Sequence, residues 1–213
     1  MDIMKNFAFK NIIIFSLVAL MATSCIIVKE KGEAVSDIEP MAILSPKPEI
    51  AMSETLVRSQ RGDMLSSIPS GWFFVDVQER LSPDVIAVIV NPDYTLSAVF
   101  SAIKHNELFD SEFEKDSLFG IARASFAKRE RKTAGALKLI GKYQNLQLGS
   151  KQFVKYEFSN TGGALSGRAA VFVSSIGEFY EFSLVPLEVA GKSIPDAREF
   201  DKIFRSFLAS VQY

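Results

Sequence analysis

Residues 152–185, QFVKYEFSNTGGALSGRAAVFVSSIGEFYEFSLV, decide how this chain folds. Near their start Val154, Tyr156 and Phe158 alternate with Lys155 and Glu157. Near their end Tyr180, Phe182 and Leu184 alternate with Glu181 and Ser183. A period of two is the pattern of a strand with one buried and one wetter face. Asn160-Thr161-Gly162-Gly163 and Gly177 supply turns between such strands. Together with the segment before them, these residues predict four successive strands, Ala136–Lys142, Gln152–Ser159, Arg168–Ile176 and Glu178–Val185, in an antiparallel sheet.

Downstream, the period changes. Pro195 and Asp196 open a helix with Glu199 in its first turn, and Phe200, Ile203, Phe204, Phe207, Leu208 and Val211 fall on one face. Such a stripe must dock on a sheet or another helix. Upstream, Ile86–Val90 and Leu96–Ile103 flank the turn Asn91-Pro92-Asp93-Tyr94, so residues 85–103 read as a hairpin. A second helix follows, with Ser111 and Glu114 as a capping box and Leu118, Ile121, Ala122, Ser125 and Phe126 along one face. It ends in Lys128, Arg129, Arg131 and Lys132, which read either as a solvated helix end meeting the negative pole of the dipole or as a site for an anionic lipid or partner. Before the hairpin, Pro69 and Gly71 punctuate a turn leading into the apolar run from Trp72 to Val77. Strands, helix, strands, helix is the order of an α+β sandwich.

The first residues have another character. MDIMKNFAFKNIIIFSLVALMATSC places Lys5 and Lys10 before a short apolar run from Ile12 to Met21, and small residues after it. This is the layout of a secretory signal. The run is short of the roughly 20 apolar residues of a membrane span, although Ile26, Ile27 and Val28 could extend it. Ala22-Thr23-Ser24-Cys25 resembles the lipobox of bacterial lipoproteins, which implies cleavage between Ser24 and Cys25 and lipid on Cys25. Long acyl chains on that residue would anchor the protein stably. Ile26 stands where an aspartate would signal retention in the inner membrane, which favours the outer one. The expected organisation is a signal peptide over 1–24, an acylated cysteine and extended linker over 25–53, and a folded domain over 54–213. Prolines 40, 46 and 48 and mixed charge mark the linker, with Ile43, Leu44 and Ile50 the residues that could instead pack as an extra edge strand.

The 213 residues are 48% hydrophobic and 23% charged, an ordinary globular composition, and the net charge is -1. A near-neutral chain lacks the basic footprint of a nucleic-acid binder. One cysteine excludes an intrachain disulfide, and one histidine, His105, excludes a multi-histidine metal site.

Ile68-Pro69-Ser70-Gly71-Trp72 resembles the P-x-G-W opening of the PsbP/DcrB-like superfamily, which includes a Ran-binding nuclear transport factor. Glu178-Phe179-Tyr180-Glu181-Phe182-Ser183 is similar to its penultimate strand, and Phe200-Asp201-Lys202-Ile203-Phe204-Arg205-Ser206-Phe207 to its closing helix. The resemblance spans residues 64–211; the helix near 111–132 and the linker lie outside its pattern. It implies a central antiparallel sheet of about six or seven strands with helices on both faces. It also implies scaffolding or assembly roles and carries no shared catalytic residue. A cystatin-like or nuclear-transport-factor-like curved sheet would show similar strands, but there a long helix usually comes first.

Few residues point to chemistry. Gly162-Gly163 and Gly167 lack the strand–loop–helix context of a phosphate loop, and no serine lies in a G-x-S-x-G elbow. Asp76, Glu79, Asp84 and Asp93 could converge on a hard cation, without the spacing of any known loop. Trp72, Phe73 and Phe74 are either a binding stripe or the anchor of the sheet, and core packing is the expectation. No cofactor or metal is expected. The leading expectation is a lipid-anchored, non-enzymatic scaffold that contacts an envelope protein. The alternatives are a carrier of a small apolar ligand held between sheet and helix, or an envelope hydrolase built on carboxylates and serines.

Overall fold

The computed structural model describes residues 41–43, 47–76, 82–160 and 166–213. The expected signal segment, Ser24, Cys25 and the linker up to residue 40 lie outside them, as do Val77, Glu79 and the turn residues 161–163.

Among the described residues, ten strands and two helices follow in the order β1 (Met41–Ile43), β2 (Met52–Arg58), β3 (Leu65–Pro69), β4 (Phe73–Phe74), β5 (Val85–Val90), β6 (Leu96–Ile103), α1 (Glu107–Lys132), β7 (Leu137–Leu148), β8 (Lys151–Asn160), β9 (Ser166–Val173), β10 (Phe179–Pro186) and α2 (Ala197–Ser210). Eight strands form one sheet, in the order β1-β7-β8-β9-β10-β6-β5-β4, and β2 and β3 pair separately. Seven of the eight run antiparallel to their neighbours, while β1 lies parallel to β7. The fold is thus the expected α+β class. The sheet reaches back into the stretch read as linker: β1 adds an edge strand there, and the Glu49 amide donates to Ser206 Oγ at 2.9 Å.

Each sheet face carries a helix and a core. On one face Phe200, Phe204, Phe207 and Leu208 of α2 pack on Phe100, Phe172, Phe182 and Leu184. Asp196 caps α2 by accepting from the amides of Arg198 and Glu199. The predicted stripe is buried throughout, and each such side chain contributes roughly 1.5–3 kcal/mol over an exposed one. On the other face α1 packs Ile121, Ala122 and Phe126 over Val154, Tyr156, Phe158 and Val171.

The second face corrects one expectation. Glu181 and Ser183 were expected on a wetter surface, yet they are only 5% and 3% exposed because α1 covers them. The helix itself also differs from its prediction. Asn106, not Ser111, caps it, accepting from the Phe109 amide at 3.0 Å. Its path breaks at Asp116 and Ser117, where Ser117 takes φ 51°. The two limbs then press together so closely that a Cβ on Gly120 would lie 2.0 Å from the Glu112 carbonyl oxygen. Arg123 spans the break and pairs with both Glu112 and Asp116.

The run predicted from Trp72 to Val77 is shorter in the structure. Among the described residues Phe73 and Phe74 pair with Val90 and Ile89 at the end of the sheet, and the Val75 amide donates to the Val88 carbonyl at 2.9 Å. Trp72 does pack inward, its ring 5.4 Å from Phe207 in an edge contact.

Candidate functional site

Between the second limb of α1 and strands β5, β6 and β10 lies a cavity of about 330 Å³. Val85, Val99, Ile103, Phe109 and Val185 form its apolar walls. Its polar groups come from β10, where Glu181 and Ser183 face α1, and from α1, where Ser125, Lys128, Arg129 and Lys132 face the sheet.

Glu181 is the centre of this polar set. Its carboxylate accepts from Arg129, from the Ser125 hydroxyl and, at 2.7 Å, from the Tyr156 hydroxyl. Burial alone would raise the Glu181 pKa; the Arg129 guanidinium and the two hydroxyl donors outweigh it, and the carboxyl is held below its ordinary value. Burial and the Glu181 charge together push the Tyr156 phenol well up. Arg129 also stacks over the Phe158 ring at 4.9 Å from its centre. A carboxylate with three donors is a settled ion and a poor base, so this group holds the helix on the sheet.

Asp84, just before β5, stands at the cavity mouth. Lys104 Nζ lies 2.9 Å from one oxygen and Lys128 Nζ 3.3 Å from the other. Burial tends to raise its pKa, but hydrogen bonds and charge from the two lysines lower it. Within the basic cluster at the end of α1, Lys128 and Arg129 are therefore engaged with carboxylates on the sheet side. Lys132 lines the mouth and has no carboxylate within bridging distance among the described residues.

The other sequence candidates scatter. Asp93 pairs with Lys192 at 2.8 Å, away from Asp84, and Glu79 lies outside the described residues. No three His, Cys, Asp or Glu side chains converge as metal ligands among the described residues. His105 Nδ1 lies 2.7 Å from Asp110 Oδ1 and its ring stacks 4.6 Å from Phe179, which fixes the start of α1 against β10. Cys25 and Ser24 lie outside the described residues.

A second surface feature sits at the open end of the sheet. Phe73 and Phe74 are 37% and 42% exposed, and Tyr94 and Leu56 are 54% and 51% exposed. Phe73 meets Tyr94 edge-on at 5.4 Å, and Phe74 shares a shallow groove with Leu56.

No protein-family model matches the chain, and no curated protein matches it. Among solved structures it resembles the solution structure of cyanobacterial PsbP (CyanoP) from Synechocystis sp. PCC 6803. The two share 16% identity over 85% of this chain and 98% of that one, with a TM-score of 0.51. A crystal structure from Bacteroides thetaiotaomicron VPI-5482 shares 18% identity over 72% of this chain and 46% of that one, with a TM-score of 0.34. The first likeness establishes a PsbP-like fold, in line with the resemblance read from the sequence.

Proposed function

We propose that this chain is a bacterial envelope lipoprotein, cut between Ser24 and Cys25 and held by lipid on Cys25, favouring the outer membrane. Its folded domain would act as a non-enzymatic module that contacts another envelope protein. The anchor rests on the small residues Ala22-Thr23-Ser24 set directly before the chain's one cysteine at the end of an apolar run.

One observation carries the contact: Phe73 and Phe74 stand exposed on the terminal strand beside Tyr94 and Leu56. Full burial of a large apolar side chain contributes roughly 1.5–3 kcal/mol, and the part of each ring still in water forgoes a corresponding share. Sheet edges are ordinarily protected by charge or proline, and here the end strand offers two aromatic rings. Trp72, packed on Phe207, gives them a firm base, and rigid aromatics are the residues that dominate protein interfaces. The carrier reading has its own observation, the cavity beneath α1.

Crosslinking in native membranes followed by mass spectrometry tests the proposal. Wild type should yield a protein neighbour above a soluble control, and F73S/F74S should lose it while still melting in one cooperative transition only a few degrees, about 2–8 °C, below wild type. Cys25→Ser should lose lipid labelling and leave the membrane fraction. No neighbour for wild type sinks the contact reading; unchanged labelling of Cys25→Ser sinks the anchor.

A further inference from the structure

We infer that the cavity between α1 and strands β5, β6 and β10 binds a small anionic amphiphile, a free carboxylate with a hydrocarbon body such as a medium-chain fatty acid. The space is a cleft of about 330 Å³, partly open to solvent, walled by the apolar side chains of Val99, Ile103, Phe109 and Val185. It falls in the size range of small-molecule sites, which are apolar with a few placed polar groups. The walls fit a hydrocarbon, and the volume is too small for a two-chain lipid.

The charge at the mouth selects the head. Both carboxylates there are already matched: Glu181 by Arg129, and Asp84 by Lys104 and Lys128. Lys132 adds a cation with no carboxylate partner among the described residues, so three positive side chains of α1 face two neutralised acids. The carbonyls ending α1 would repel an anion, but the Thr133 amide and hydroxyl bond those of Arg129 and Glu130. Within the wall, Ser183 of β10 lines the cavity beside Glu181 and places a hydroxyl among the apolar side chains.

The experiment is calorimetric titration of the purified full chain with decanoate below its micellar concentration. Decanol and decanoyl-lysophosphatidylglycerol are run beside it. The expected result is saturable one-to-one binding of decanoate, with decanol about three- to tenfold weaker. Lys132→Glu, at an exposed position, should weaken decanoate by about the same factor without changing the melting curve. Val99→Phe, which fills the cavity, should weaken it by about tenfold or more. The variant F73S/F74S should bind decanoate like wild type, because this site does not depend on the contact proposed above. No saturable binding by wild type, equal binding of decanol, or an unchanged affinity in Lys132→Glu would overturn the assignment. Tighter binding of the lysolipid than of decanoate would also overturn it, in favour of a lipid head.

Discussion

Arg129 of α1 and Glu181 of β10 form an ion pair inside the helix–sheet interface, where the Glu181 side chain is only 7% exposed. Each partner alone would be a costly buried charge, so the two are worth far more together than apart. Arg129→Met should lower unfolding free energy by about 3–5 kcal/mol, because it strands the carboxylate. The double variant R129M/E181Q should recover at least half of that loss. Urea denaturation of the single and double variants measures the coupling; additive losses would show that the pair does not act as a unit.

The same carboxylate makes stability depend on acid. Glu181, Asp63 and Asp84 are each held below their ordinary values, burial being outweighed by their partners. Between the ordinary and the lowered values the unfolded chain binds more protons than the native one. Their contribution is therefore complete above the ordinary carboxylate range and is lost as pH falls from that range through the lowered native values. Glu181→Gln should flatten the acid limb of stability below its ordinary value of 4.5. Chemical denaturation at a series of acidic pH values gives the slope, and an unchanged slope would place the acid sensitivity elsewhere.

Alkaline pH probes a different contact. Burial, and then the bond to Asp63, push the Tyr180 phenol up to about 12. The native state keeps a proton that the unfolded chain releases near the ordinary value of 10.0. Stability from this group is complete below 10.0 and is lost as pH rises towards about 12. In Tyr180→Phe the alkaline loss of stability should be shallower than in wild type. Denaturation curves on the basic side decide it, and identical limbs would contradict the assignment.

Gly120 tests the folded-back helix. A methyl there would overlap the Glu112 carbonyl, so Gly120→Ala must push the two limbs apart. The expected cost is about 3 kcal/mol or more, well beyond an ordinary glycine-to-alanine change in a helix, which stabilises. Gly135→Ala, where nothing lies within 4 Å of the added Cβ, should cost less despite its φ of 78°. Thermal melts of both variants rank them.

What the sequence revealed depended on period. Alternation in β8 and the 3/4 stripe of α2 placed strands, helix and core correctly, because water on one side and core on the other imprint a regular pattern. Glu181 was misread for the same reason: a charged residue at an alternate position signals solvent unless its partner is found. That partner was visible. Arg129 lies four residues after Ser125 of the buried stripe, so both fall on the same face of α1. The break at Asp116 and Ser117 carried no such signal, since neither proline nor glycine stands there and Gly120 acts through space. The exposure of Phe73 and Phe74 was equally hidden, because an aromatic run reads as core until the sheet order shows that it ends the sheet.

The most direct test of the proposed contact is site-specific photocrosslinking in intact cells. A photoreactive amino acid at position 73, on the end strand, is compared with one at position 108, where Leu108 is 50% exposed at the start of α1. The account predicts a discrete crosslinked protein partner from position 73 and none from position 108. Equal yields from both positions, or no adduct from position 73, would contradict it.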